Sequence, residues 1–296
     1  MSKQNKAYIY AFIAVLFWST AATSFKITLR FLNTVEMLFY SSLTASIALS
    51  VILYFQKKQR KIFTVTKNQI LYAALLGLMN PFLYYIILFK AYSLLPAQLA
   101  QPLNFVWPIM IVILSIPILK QKIPPKSFFA IFLSFFGVIM ISTKGRLLSF
   151  NVDEPYGVAL ALTSSLIWAL FFILNVKNKY DEILSLFFSF CFGSIFTLVL
   201  LLKQFSFPPL YGILGAIYIG LFEMGLTFVI WIKALKYSNT TAQVNNLIYL
   251  TPFISLLVVR LIIKEKILIS SIFGIILIIL GIILQRRIRQ AEINLE

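Results

Sequence analysis

Histidine is absent from these 296 residues, and Cys191 is the only cysteine. The first absence removes every His-dependent catalytic triad and the imidazole ligands of most zinc sites. The second excludes a disulfide within the chain and leaves no cysteine cluster for a metal. Acids are scarce as well, with nine Asp and Glu against 26 Lys and Arg. Acid–base chemistry therefore has few candidates, and an enzyme is not expected. No P-loop is present, so coupling to ATP would need a partner. Neither cofactor nor metal is expected.

What the chain has in excess is apolar surface. It is 60% hydrophobic and 12% charged, with a mean hydropathy of +0.93. A soluble protein of this length has too little interior to hide that much, because much of any surface faces water. Runs of about 20 apolar residues recur along the chain, the length needed to cross roughly 30 Å of hydrocarbon. The expectation is an all-α membrane protein with ten transmembrane helices, near 7–25, 35–55, 69–89, 94–119, 127–143, 156–175, 183–202, 210–232, 239–263 and 268–285. The first is retained as a span, since Ala7 to Phe25 is longer than the apolar part of a usual signal peptide. Cys191, inside an apolar run, reads as a small packing residue.

The net charge of +17 would suggest nucleic acid in a soluble protein. Here the basic residues sit in short loops between apolar runs, which is the positive-inside pattern, and no nucleic-acid partner is expected. With the N-terminus in the cytoplasm, 17 of the 26 basic residues fall inside, among them Lys57, Lys58, Lys120, Lys122, Arg286 and Arg287. Both termini are therefore expected to be cytoplasmic in a cell membrane, with the bilayer as a partner. Oligomeric state is left open.

Two stretches say nearly the same thing. Gly77-Leu78-Met79-Asn80-Pro81 through Lys90-Ala91 aligns with Gly220-Leu221-Phe222-Glu223-Met224 through Lys233-Ala234. After one inserted residue the register runs on through Pro108 and Pro252 to Lys120-Gln121-Lys122-Ile123 and Lys264-Glu265-Lys266-Ile267. Two copies are expected, residues 1–146 and 147–296, with five spans each. An odd number of spans makes the copies cross the membrane in opposite senses, the inverted repeat of many secondary transporters.

The ten-span duplication, Phe17-Trp18-Ser19-Thr20 in the first span, the Pro108/Pro252 pair and Lys264-Glu265-Lys266 closing the ninth together resemble the drug/metabolite transporter superfamily. More narrowly, they resemble its EamA-type permeases. The resemblance implies movement of small organic metabolites, amino acids and amines prominent among them. It also implies a central cavity built from the first, third, fourth, sixth, eighth and ninth spans. Two departures stand out. Gln121 occupies the place of Glu265 in the first copy, and the first span lacks the glutamate of the small four-span multidrug exporters.

Glu223 is the most conspicuous side chain, an acid at the middle of an apolar span. Such a group is costly in lipid, by about 2.5–3.5 kcal/mol, and tends to face a cavity or a partner. It is the first candidate for binding a substrate or a coupled proton; the competing reading is a hydrogen-bonded tie between helices. Its repeat mate Asn80 is neutral, which suggests an asymmetric site. Gln98, Gln101, Asn104 and Trp107 follow one another at steps of three along one face of the fourth span. Gln243, Asn245, Asn246 and Tyr249 answer from the ninth. Trp18 and Trp168 stand at matching places in the first and sixth spans, and Tyr84 and Thr227 complete the candidate substrate-binding set. Aromatic walls suit an apolar organic solute, with a cationic group as an option. Lys90 and Lys233 read as interfacial residues; turned inward, they would favour a phosphorylated or nucleotide-type solute instead.

Overall fold

Nine helices among the described residues are long and apolar enough to cross a membrane: α1 (Lys3–Thr28), α2 (Thr34–Phe55), α3 (Lys67–Leu94), α4 (Ala97–Ile118), α5 (Pro125–Ser142), α6 (Pro155–Asn175), α7 (Glu182–Leu201), α8 (Leu210–Tyr237) and, after a gap, α10 (Ile269–Ile293). Between the last two lies α9 (Leu247–Ile263), apolar but shorter, spanning about 25 Å at 1.5 Å per residue. The chain is thus an all-helical, ten-helix membrane protein. This computed structural model describes the chain apart from residues 1, 121–123, 148–151, 177, 179, 204–206, 239–243, 245 and 294–296. At 59–61, 119, 176, 246 and 289–293 it describes the backbone alone.

Local sequence sets the ends of these helices. Asn33 and Glu36 form a capping box at the start of α2, and Thr66 and Gln69 form another at α3. Each satisfies backbone N–H groups that have no partner inside the helix. The third span runs five residues past its expected end at 89, and the fourth starts at Ala97 instead of 94. Pro96 explains the boundary: it pushes Leu95 out of the helical region, to φ −99° and ψ 151°. Lys120 and Lys264, which are repeat mates, end α4 and α9 in the same left-handed conformation. In the α5–α6 link, Asp153 pairs with Lys144 at 2.6 Å and with Arg146. These two partners hold the Asp153 carboxyl below the usual carboxylate range.

Phe128, Phe129 and Phe132 of α5, Leu257 and Leu261 of α9 and Phe273 of α10 are all exposed, an apolar exterior suited to lipid. Inside, the helices pack in a pattern that returns to itself when five is added to each label. α2 lies against α7 and α5 against α10; α1 lies against α8 and α9, as α6 does against α3 and α4. Small residues allow close approach, which matters in lipid because apolar tails offer no hydrophobic drive for helix pairing. A Cβ on Gly137 of α5 would stand 2.6 Å from the Gly274 carbonyl of α10, and one on Gly274 would stand 2.9 Å from the Gly137 carbonyl. Gly77 meets the Ser189 carbonyl of α7 in the same way that Gly220 meets the Ser41 carbonyl of α2.

Candidate functional site

Both long helices that carry the matched segments depart from the regular helix at their middles. In α3 the chain kinks within Leu78–Leu83, where Asn80 leaves the helical region (φ −143°, ψ 117°) just before Pro81, and in α8 a π-helical turn occupies Gly220–Gly225. A π turn fits an extra residue into the helical path and re-aims the side chains around it. Asn80 and Glu223 sit in these two segments. In α4 the ladder breaks at Phe105–Val106, between Ala97–Asn104 and Trp107–Leu119. Pro108 has no N–H to offer the Asn104 carbonyl four residues back, so the break exposes backbone polarity beside the bundle axis.

A cavity of about 650 Å³ lies at this level. Its wall draws on α1, α3, α4, α6, α8 and α9, the same six that the resemblance implies. Trp18, Tyr84, Gln101, Asn104, Trp107, Trp168 and Glu223 line it, with Phe228, Ile248 and Thr251 among their neighbours. The Tyr85 hydroxyl donates to Glu223 Oε1 at 3.2 Å, and the Trp18 indole donates to the Glu223 backbone carbonyl at 3.4 Å. Glu223 Oε2 is buried with no hydrogen-bond partner among the described residues. Leaving such an atom unpaired in a native fold calls for an explanation.

Aromatic rings in contact with one another line the same cavity. Trp18 meets Phe228 edge-on at 5.8 Å, Phe228 lies 5.9 Å from Trp168, and Trp168 lies 4.8 Å from Tyr84. Asn104 ties three helices at one point. Its Oδ1 accepts from the Tyr84 hydroxyl at 3.2 Å, and its Nδ2 donates to Ser164 Oγ at 2.9 Å. A free carboxylate oxygen within aromatic faces is suited to a solute ammonium, through an ion pair and cation–π contact together.

The two ends of the hollow are unlike. Where α1 finishes, Glu265 accepts hydrogen bonds from the Ala97 and Gln98 amides at 3.0 and 3.3 Å. The Gln98 amide then donates to the Lys266 carbonyl at 2.7 Å and accepts from Leu268 N at 2.8 Å. Lys26 adds two bonds of 3.0 Å to the Tyr92 and Leu95 carbonyls. This end is sealed by polar bonds. Toward the opposite end, where Ala7 and Ala11 cluster with Ala234, a second hollow of about 1010 Å³ follows the first, and the two share Trp107 and Ile248.

Seven of the twelve candidate residues are therefore brought to one cavity. Four others are placed elsewhere. Tyr249 lines the second hollow. Asn80 is 1% exposed, away from the cavity wall, and neither polar atom of its amide has a partner among the described residues. Gln98 is engaged at the sealed end, and Thr227 donates its hydroxyl to the Phe222 carbonyl across the π turn. For Asn246 the backbone alone is described, and Gln243 and Asn245 lie outside the described residues. Lys90 and Lys233 are exposed. Tyr85, Phe228 and Lys26 went unnoticed in the sequence. Tyr85 adjoins Tyr84, and both are buried just after the kink of α3; nothing in the sequence around Lys26 points to its partners.

A ten-helix bundle around a closed-ended, aromatic cavity with one acid is the architecture of a membrane carrier. The model of the EamA-like transporter family matches the chain twice, at residues 5–143 and 155–286, and the chain belongs to that family, within the drug/metabolite transporter superfamily. Among its relatives is an uncharacterized transporter of Archaeoglobus fulgidus, 24% identical over 268 residues, covering 88% of this chain and 91% of the relative. Another, from Clostridium kluyveri, is 25% identical over 291 residues and covers 95% and 93%. A crystal structure superposes with a TM-score of 0.66 at 17% identity, over 96% of this chain and 98% of the other, a likeness of fold.

Proposed function

We propose that the chain is a secondary transporter that works by alternating access and exports amino acids or related amphiphilic amines across the cell membrane. The carrying observation is Glu223 in the wall of a cavity lined by Trp18, Tyr84, Trp168 and Phe228, its Oε2 without a hydrogen-bond partner among the described residues. In this reading Glu223 takes the solute ammonium or a coupled proton, and the aromatic rings cover the apolar body. The protein is not an enzyme.

Two inverted five-helix repeats, 1–146 and 147–296, supply the motion. Packing that maps onto itself under a shift of five supports this division. So does the unlike state of the two ends, since a carrier at rest exposes its site to one side only. The basic loops support cytoplasmic termini, and in that orientation the sealed end faces outward. With Lys90 and Lys233 exposed, no lysine or arginine among the described residues lines the central cavity, which disfavours phosphorylated or nucleotide-type solutes.

A panel of metabolites offered to purified protein in liposomes, with and without a pH gradient, tests the substrate class. Accumulation of amino acids or amines is expected. Uptake confined to phosphorylated solutes would reverse the assignment.

A further inference from the structure

Among the described residues, Glu223 is the one charged group in the wall of the central cavity. Residues 239–243 and 245, which precede Ile248 and Thr251 of that wall, add none, because the chain has no Asp, Glu, Lys or Arg from Ser238 to Val259. Lys26 stands at the sealed end with its ammonium bonded to the Tyr92 and Leu95 carbonyls, and Arg286 borders the second hollow. A carboxylate entering the central cavity would therefore meet a like charge and no opposite one in its wall. The wall also holds neutral polar groups. Thr251 is 5% exposed, and its Oγ1 has no partner among the described residues; Gln101 adds an amide. Thr251 and Glu223 are tied to adjacent residues of α1, since Ser19 Oγ donates to the Thr251 carbonyl at 3.3 Å and the Trp18 indole donates to the Glu223 carbonyl.

We propose that the cavity selects an organic monocation bearing a neutral hydrogen-bonding group, an aromatic amino alcohol for example, over the zwitterion of the same skeleton. The ammonium pairs with the Glu223 carboxylate, so ligand and wall together carry no net charge. Thr251 and Gln101 bond the neutral polar group, which removes the cost of leaving the Thr251 hydroxyl unpaired. A zwitterion pairs its ammonium equally well, but its carboxylate loses water without gaining a cation, and burying an ion on those terms is strongly unfavourable. Selectivity then comes from a partner that the wall withholds, as much as from those it offers. The inference rests on the reading of Glu223 as the ammonium site, and it narrows the substrate class from amino acids and amines to amines.

Titration calorimetry on the purified full-length protein in micelles at neutral pH tests this with three probes that share a ring and an ammonium. Phenylalaninol adds a hydroxyl, phenylalanine adds a carboxylate, and 2-phenylethylamine adds neither. Phenylalaninol is expected to bind about tenfold more tightly than phenylalanine or better, a difference of about 1.4 kcal/mol or more. Thr251→Val and Gln101→Leu keep the approximate shape of the side chain and remove its hydrogen bonding. Each should weaken phenylalaninol several-fold more than phenylethylamine, whereas a misfolded variant would weaken both alike. Phenylalanine binding as tightly as phenylalaninol, no binding of phenylalaninol, or equal weakening of the two amines in both variants overturns the proposal. Glu223→Gln separates this from the reading beneath it. If phenylalanine matches phenylalaninol and both are lost in Glu223→Gln, the selectivity falls and the ammonium site stands. If the amines bind Glu223→Gln as they bind the native chain, the ammonium site falls and the selectivity falls with it.

Discussion

Glu223 is surrounded by groups that each meet part of its need and leave one atom over. Tyr85 supplies a hydrogen bond to Oε1, Trp18 binds the backbone carbonyl, and Oε2 has no partner among the described residues. A purely structural glutamate would be expected to have both oxygens bonded, since an unpaired buried polar atom costs about 1–3 kcal/mol. Tyr85→Phe removes the donor to Oε1 while keeping the ring. The expected result is a rise in KM for an amine of about fivefold, the equivalent of about 1 kcal/mol, read from initial rates in liposomes. Asn80 shows what changes between the copies at this position. It is neutral, buried and away from the cavity wall, so the kink of α3 and the π turn of α8 are related in position and different in chemistry.

The helices themselves were largely legible in the sequence, because apolar run length and the repeat both report on lipid. Boundaries moved where one residue overrode the run, as Pro96 does between α3 and α4. The cavity was legible in part: polar residues at steps of three in α4 placed Gln101, Asn104 and Trp107 on one face. Gln98 lies on that face by spacing, yet it is bonded across to Lys266 and Leu268, a long-range pairing that spacing cannot carry. The π turn of α8 was not legible, since it changes the path of a helix without changing its composition, whereas the kink of α3 has Pro81 beside it. Small residues along α5 and α10 belong to this scale too. Gly137→Ala brings a methyl to 2.6 Å from the Gly274 carbonyl. It should lower stability by about 1–3 kcal/mol, seen as a lower melting temperature in micelles.

At the scale of the whole molecule the difference between the two ends carries the mechanism. One end is held by Glu265, Gln98 and Lys26. In the aligned register Gln121 of the first copy stands at the place of Glu265, an amide for an acid. With the polar latch of Glu265, Gln98 and Lys26 in place, the resting carrier is expected to open toward the side of the termini. A single cysteine can read this. With the half-buried Cys191 changed to Ser, Ala21→Cys places a thiol in the cavity wall. A membrane-impermeant maleimide should label it from the terminal side. Adding Gln98→Ala or Glu265→Gln should make labelling from the opposite side several-fold faster; an unchanged rate would remove the latch from the mechanism.

Everything above converges on one carboxylate between two related halves. The most direct measurement is counterflow of a radiolabelled amine or amino acid in liposomes, comparing native protein with a well-folded Glu223→Gln variant at two pH values. A loss of tenfold or more, together with disappearance of the pH dependence, is predicted for the variant. Full transport by Glu223→Gln with the native pH dependence would contradict the assignment of the site.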